Sequence, residues 1–100
     1  MVKHIILWTL KDGFSDEEKN EIKKGIKSGL EGLAGKIPGM TDVSVRIDCL
    51  SSSTAEVMLE TTFETADDLK AYRENSLHVA VADEKVRPYT QIRLCMDFEI

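Results

Sequence analysis

The chain has 100 residues, of which 42% are hydrophobic and 31% charged, and its formal net charge is −5. This size and balance are typical of one globular domain, so we expect residues 1–100 to form a single domain. Nucleic-acid binders concentrate Lys and Arg on one surface, but the lysines here alternate with acids, so no nucleic-acid partner is expected.

The first predicted strand runs from Val2 to about Leu10. Its even positions, which include His4 and Trp8, and its odd positions, which include Ile5 and Leu7, are both largely apolar. A strand of this kind must be covered on both sides. The apolar run is far too short for a membrane span or a signal-peptide core, so we expect a cytoplasmic protein with no membrane partner.

The first helix is predicted to begin at Ser15, which with Glu18 forms a capping box. Apolar residues follow at spacings of three and four and form one amphipathic stripe. Its members are Ile22, Ile26, Leu30, Leu33 and Ile37. The flanking glycines at positions 25, 29 and 32 favour close approach to a neighbouring element; the alternative is room for a ligand. Ile37-Pro38-Gly39 is predicted to end the helix.

The next two predicted strands run from about Thr41 to Cys49 and from Ala55 to Phe63. The first alternates apolar and polar residues, which is typical of a strand with one face in water. The polar segment Ser51–Thr54 between them is predicted to be a hairpin loop.

The second helix is predicted to begin at Thr65, with Leu69 and Tyr72 facing inward. Asn75-Ser76 interrupts the pattern, and Ser76 is predicted to cap a further helical segment. This segment carries Val79, Ala82 and Val86 as its apolar stripe, with His78 at the edge. The last strand, Tyr89 to Ile100, again alternates apolar and polar residues.

The element order β-α-β-β-α-β predicts an α+β, ferredoxin-like fold with a four-stranded antiparallel sheet of order 4-1-3-2. Both helices would cover one face of this sheet. The open face would carry either Ile5 and Leu7 or Ile6 and Trp8, and an apolar face of that size is rare on a monomer. We therefore expect a homodimer through the open sheet face, which forms a dimeric α+β barrel.

Cys49 and Cys95 form no CxxC pair and no zinc-ligand spacing. We expect two free thiols at opposite edges of the sheet, buried as small apolar side chains, in a reducing compartment. No cofactor fingerprint or metal-ligand motif occurs, so neither a cofactor nor a metal is predicted.

The chain contains two histidines, His4 and His78. The interruption after Tyr72 could turn His78 and Tyr72 toward one another. Imidazole titrates near neutrality and suits a general base, and a phenol can donate a hydrogen bond to a developing enolate oxygen. The pair would be sufficient to remove a proton next to a carbonyl group. A buried structural Tyr–His pair is the alternative, and His4 and Trp8 are more typical of core residues.

The residues Val2–Trp8 followed by Leu10–Gly13 resemble the opening of the stress-responsive A/B barrel (Dabb) family. Similar residues occur in that family at three further segments and at a Tyr–His pair. These are Ile37–Met40, Thr62–Glu64, Tyr72 with His78-Val79, and Asp97–Glu99. The resemblance covers nearly the whole chain and implies a dimeric α+β barrel. Most bacterial members have no assigned activity, and plant members include a stress-associated stable protein and a polyketide cyclase.

The resemblance to the cyclase implies a pocket between helices and sheet for a cofactor-free aldol condensation. Its histidine base and its tyrosine match His78 and Tyr72, and its strand-1 histidine matches His4. The chain departs from the cyclase at Val57, where the cyclase has a further histidine, and at Asn75-Ser76, where the family has His-Pro.

The leading hypothesis is a homodimeric stress-responsive A/B barrel protein of unassigned function that binds a small hydrophobic ligand. The alternative is a cofactor-independent, cyclase-like lyase with His78 as general base and Tyr72 as hydrogen-bond donor. His4 and Trp8 would then contact the substrate. The sequence leaves open whether the protein is an enzyme and whether a metal binds near Ile37–Met40. A cofactor-free oxygenase is a third hypothesis that rests on fold analogy.

Overall fold

The computed structural model describes residues 1–100 and contains four strands and three α-helices. In chain order they are β1 (Val2–Leu10), α1 (Asp16–Glu31), β2 (Met40–Arg46), β3 (Val57–Phe63), α2 (Ala66–Glu74), α3 (Ser76–Val81) and β4 (Thr90–Glu99). A π-helical turn, Ala82–Val86, continues α3. None of the helices has the length and apolar character needed to cross a bilayer.

The strands form one antiparallel sheet with the order β2-β3-β1-β4. This arrangement confirms the predicted ferredoxin-like topology, with β1 and β3 in the centre. In the register, His4 lies opposite Thr61 of β3 on one side and Asp97 of β4 on the other. Directly opposed residues share a face of the sheet, so these three side chains point toward the helices.

The helix-facing side of the sheet carries the core. Its buried apolar side chains are Val2, Ile6, Trp8, Leu10, Ile26, Leu30, Leu33, Ile37, Val45, Val57, Leu59, Phe63, Leu69, Tyr72 and Val86. The even positions of β1 are therefore the inner ones, whereas Ile5 and Leu7 face the open side. The structure thus resolves the two alternatives for β1 in favour of Ile5 and Leu7.

Helix α1 begins with the predicted capping box between Ser15 and Glu18. It ends at Glu31 and not, as predicted, near Ile37. Gly32 is the C-cap and Gly35 has a φ of 77°, a conformation that side chains disfavour, so the helix gives way to turns. Leu33 and Ile37 are nevertheless buried, which explains why their spacing looked helical.

Close approach between α1 and α3 occurs at Gly29. A Cβ atom added there would lie 3.0 Å from a Val81 methyl carbon. This distance supports the packing interpretation of the glycine rather than the ligand-space interpretation. Gly29 thereby lets α3 lie against the first helix.

The break after Tyr72 separates α2 from α3. Thr65 caps α2 as predicted, and its hydroxyl accepts a hydrogen bond from the Asp68 backbone N–H. The cap of α3, however, is Asn75 and not Ser76: the Asn75 side chain accepts from the Leu77 backbone N–H at 2.9 Å. Asn and Ser are both good N-caps, and the extended backbone at Asn75 places the cap one residue earlier.

The open face of the sheet exposes large apolar side chains on β4. Ile92, Leu94, Met96 and Phe98 are 41 to 67% exposed, and they lie opposite Thr9, Leu7, Ile5 and Lys3 of β1. The polar alternates of β4 face the helix side instead. Apolar residues on β4 therefore contribute little to the core of one chain.

Both cysteines are free, as predicted, but both are exposed rather than buried. Pairing of β2 with β3 ends at Arg46, so Cys49 lies in the connection beyond the sheet. Cys95 lies on the edge strand β4. The expectation of two buried apolar thiols was wrong because neither position is covered by a helix.

Candidate functional site

A cavity of about 100 Å³ lies between the helix-facing side of the sheet and the helices α2 and α3. The sheet contributes its floor through β1, β3 and β4, and the π-helical turn closes one side. The residues that border it are His4, Ile6, Trp8, Leu30, Leu59, Tyr72, Arg73, His78, Ala82, Val86, Arg87, Thr90 and Arg93. Apolar walls with a few polar groups are typical of small-molecule sites.

Tyr72 and His78 pack against one another in this cavity. Their ring centroids are 4.0 Å apart at an interplanar angle of 32°. The turn between α2 and α3 brings them together, an arrangement that the sequence had left possible. Neither the Tyr72 hydroxyl nor the Nδ1 atom of His78 has a hydrogen-bond partner, although both atoms are buried. Unsatisfied buried polar atoms are rare because each one costs about 1–3 kcal/mol.

Burial controls the protonation of both groups. It raises the pKa of Tyr72 to about 12, so the phenol keeps its proton at neutral pH and can donate a hydrogen bond. Burial also lowers the pKa of His78, helped by the positive charge of Arg87 and opposed by nearby backbone carbonyl groups. His78 is therefore neutral at pH 7 and has a lone pair available to accept a proton.

The second histidine, His4, is 2% exposed and lies on the sheet floor. Its Nδ1 atom pairs with Oδ1 of Asp97 on the adjacent strand. Burial lowers the pKa of His4 in spite of the carboxylate beside it. Burial alone would raise the pKa of Asp97, but His4 and Arg73 hold it below its usual value. We therefore assign a neutral imidazole that donates its Nδ1 proton to an ionised carboxylate.

Arg73 forms an ion pair with Asp97, the carboxylate that also binds His4. Its Nη2 atom donates to Oδ2 of Asp97 at 2.5 Å. Arg73 also borders a groove of about 450 Å³ between α2 and β4, and Asp97 lines that groove. Because Arg73 lines both spaces, the Arg73–Asp97 ion pair stands between the groove and the cavity.

His4, Cys95 and Asp97 could in principle bind a metal, since their ligand atoms lie within 4.8 Å of one another. A histidine nitrogen, a thiol and a carboxylate suit zinc. Two features of the cluster oppose a dication. Asp97 already accepts hydrogen bonds from His4 and Arg73, and burial together with the Asp97 charge raises the pKa of the Cys95 thiol, whereas metals bind the thiolate.

The predicted site residues His4, Trp8, Tyr72 and His78 all border this one cavity. Trp8 is also 5% exposed and belongs to the core, so its two interpretations are compatible. The sequence analysis did not single out Asp97 as a site residue. It lies on the polar face of an alternating strand, a face normally assigned to solvent, and only the β1–β4 register reveals its place beside His4.

Three arginines at the rim were also missed by the sequence analysis. All three border the cavity, but Arg73 lies on α2, Arg87 follows the π-helical turn and Arg93 lies on β4. No short motif connects them, so spacing along the chain carried no signal. The predicted topology could have suggested Arg93, which is opposite Trp8 in the register.

Solved structures show the same fold in proteins from several organisms. A dimeric ferredoxin-like protein of unknown function from Bacteroides fragilis is 30% identical, with a TM-score of 0.92, and the match covers 99% of this chain and 95% of that one. The At3g17210 protein of Arabidopsis thaliana is 25% identical, with a TM-score of 0.74 and coverages of 100% and 95%.

A hydroxynitrile lyase from Passiflora edulis is 17% identical, with a TM-score of 0.72, and the match covers 99% of this chain and 92% of that one. At this identity the similarity shows the fold alone. No curated protein is significantly similar to the chain in sequence. The profile described as Stress responsive A/B Barrel Domain matches residues 2–100, and the chain therefore belongs to the stress-responsive A/B barrel (Dabb) family.

Proposed function

We propose that this protein is a homodimeric module that binds a small molecule in the cavity beside Tyr72 and His78. The observation that carries the proposal is the pair of buried polar atoms without partners, the Tyr72 hydroxyl and the His78 Nδ1 atom. A ligand oxygen could accept a hydrogen bond from the Tyr72 hydroxyl, and a ligand hydroxyl or amide could donate one to the His78 Nδ1 atom. Each bond would remove the free-energy cost of burying that atom without a partner.

The size and walls of the cavity restrict the ligand. A dry cavity of about 150 Å³ in another protein holds benzene, and the present cavity measures about 100 Å³. Because it is smaller, it encloses a short chain or part of one ring, and a larger ligand must extend past the exposed rim. Ile6, Trp8 and Leu59 offer the apolar contacts.

The homodimer is proposed to form through the open sheet face. Leu94 and Met96 of β4, together with Ile5 and Leu7 of β1, give this face a contiguous apolar strip. A two-fold partner that presents the same strip would bury both copies. The description of the Bacteroides fragilis protein as dimeric supports this arrangement.

Ligand binding is tested by titrating ¹⁵N-labelled protein with acetophenone and benzamide and following amide chemical shifts. We expect the shifts to change at residues around the cavity. Tyr72→Phe should weaken binding roughly three- to tenfold through the lost hydrogen bond. Tyr89→Phe is the matched control, because Tyr89 packs on Phe14 and does not border the cavity. Shifts that spread over the open sheet face, or equal affinities of all three proteins, would contradict the proposal.

A second candidate function is cofactor-independent, cyclase-like lyase chemistry, with His78 as general base and Tyr72 as hydrogen-bond donor. Its support is the combination of a neutral imidazole with a protonated phenol, whose ring centroids are 4.0 Å apart. The Passiflora edulis enzyme is named a lyase, so this fold is compatible with such a reaction.

The geometry also offers His4 as an alternative base within the second candidate. The Asp97 carboxylate orients the His4 ring and leaves its Nε2 lone pair free, the arrangement by which a carboxylate supports a catalytic histidine. His78 has no such partner. In this version His4 would act as the general base instead of only contacting the substrate.

The chemistry is tested with acetophenone in D₂O, by following loss of the methyl proton signal next to the carbonyl group. The lyase candidate predicts exchange faster than in buffer, slowed in His78→Ala and in Tyr72→Phe. Slowing in His4→Ala with none in His78→Ala would identify His4 as the base. If the wild-type protein binds acetophenone but does not accelerate exchange, the lyase candidate is wrong and the binding proposal stands.

A further inference from the structure

The rim of the cavity carries three arginines in a chain that is acidic overall. Three of the chain's four arginines, Arg73, Arg87 and Arg93, border the cavity, and no Asp or Glu does. The chain as a whole carries a formal net charge of −5. Arginine side chains therefore lie where a ligand would enter, although the net charge of the protein is negative.

The carboxylates that lie nearby neutralise only two of these arginines. Arg73 pairs with Asp97, and Arg87 pairs with Asp83 one helical turn earlier. Arg93 has no carboxylate within 4.0 Å and makes no side-chain hydrogen bond within the chain. One guanidinium at the rim is thus left without a counter-charge. The positive charge of Arg93 acts on the site, since it contributes to the lowered pKa of His4.

The position of Arg93 separates its charge from the acidic end of the site. Arg93 and Asp97 lie on the same face of β4, four residues apart, which is about 13 Å in an extended strand. In the register, Arg93 is opposite Trp8, whereas Asp97 is opposite His4. An anion bound at Arg93 therefore lies at the Trp8 end of the cavity and avoids repulsion by the Asp97 carboxylate.

We propose that the cavity takes an organic monocarboxylate, with the carboxylate on Arg93 and the apolar body against Ile6 and Trp8. This inference rests on the proposed binding function and names the class of its ligand. A planar carboxylate matches the two-pronged donor geometry of a guanidinium. A single unpaired arginine favours a singly charged group over a phosphate, which in protein sites usually has several cationic partners. The ligand is then amphiphilic rather than wholly hydrophobic.

The test compares benzoate with benzamide, which has nearly the same shape but no charge, and with inorganic phosphate. Amide chemical shifts of the wild-type protein should give a lower dissociation constant for benzoate than for benzamide, and no saturable shifts at the cavity with phosphate. Arg93→Gln should weaken benzoate binding roughly tenfold and benzamide binding by a much smaller factor, so that the preference for benzoate is lost. Arg93→Lys, which keeps the charge, should restore part of the loss.

Lys36→Gln is the matched control, because it removes one positive charge from an exposed position that does not border the cavity. Equal affinity for benzoate and benzamide, or equal loss of benzoate binding in Lys36→Gln, would overturn the carboxylate assignment while leaving the binding function intact. Saturable phosphate binding lost in Arg93→Gln would replace the carboxylate with an inorganic or phosphorylated anion. If neither aromatic probe shifts the cavity residues, the proposed binding function fails, and the carboxylate assignment fails with it.

Discussion

The imidazole of His4 and the carboxylate of Asp97 face each other across the β1–β4 register, although 93 positions separate them in the chain. Asp97 accepts from Nδ1 of His4 and from the Arg73 guanidinium. This pairing fixes the tautomer of a histidine that is almost completely buried. It also connects the sheet floor to the rim of the cavity.

Removal of the Asp97 charge should lower the pKa of His4 further. The hydrogen bond and the negative charge of Asp97 both raise that pKa and partly offset the effect of burial. In Asp97→Asn the imidazole should therefore titrate at lower pH than in the wild-type protein, as measured by NMR of the ring protons. Glu99→Gln, an exposed acid on the same face of β4, is the control. An unchanged His4 titration in Asp97→Asn would show that the two side chains do not interact.

The stability of the fold should decrease as the pH is lowered below neutrality. The pKa values of His4 and His78 are both lowered in the folded protein, chiefly by burial, so the unfolded chain binds protons more readily. Their contribution to stability is complete above the unfolded pKa of about 6.5 and is lost as the pH falls toward the folded values. As the pH is lowered from about 7.5 to about 5.5, the melting temperature should decrease. Most carboxylates titrate at lower pH, so they contribute little to this decrease.

The histidine origin of that drop can be separated from other effects. His78→Gln lacks one of the two groups, so its melting temperature should depend less steeply on pH across the same range. A variant with the same pH dependence as the wild-type protein would indicate that His78 is not held neutral by burial.

A charge on the open sheet face should separate the proposed dimer. Leu94 is 62% exposed in one chain and lies opposite Leu7 on that face. A glutamate in its place would face its own counterpart or an apolar surface in the dimer, so Leu94→Glu should sediment as a monomer at concentrations where the wild-type protein is dimeric. Ser28→Glu adds the same charge to an exposed position of α1, on the helix side of the sheet, and it should remain dimeric. Dimerisation of both variants would locate the interface elsewhere.

The turn before β2 should not tolerate a side chain at Gly39. Its φ is 78°, and a Cβ atom there would lie 2.2 Å from the carboxyl carbon of Asp68. We expect Gly39→Ala to lower the free energy of unfolding by about 1–3 kcal/mol, measured by urea denaturation. Gly35→Ala has nearly the same φ but open space around it, so it should show the backbone strain without the steric clash. An equal decrease in the free energy of unfolding of the two variants would mean that the Asp68 side chain moves aside at no free-energy cost.

Much of the fold follows from local and periodic features of the sequence. The capping box at Ser15 and Glu18, the cap at Thr65 and the two-residue alternation of the strands are short-range signals, and each predicted its element correctly. Element order then restricted the topology to a ferredoxin-like sheet. The C-terminal end of α1 was harder to predict. Leu33 and Ile37 are buried by tertiary packing beyond the helix, and their spacing imitates a continuing helical stripe.

The sequence by itself determined that the second helical region breaks three residues after Tyr72, which allowed His78 to turn toward it, because such a break acts locally. Only the tertiary structure decided that Asp97 pairs with His4 and that Arg93 is left without a counter-charge, because both depend on the register between the first and last strands. It also decided that the apolar residues of β4 face away from the helices. Alternation shows that a strand has two unlike faces, but only packing determines which of them the helices cover.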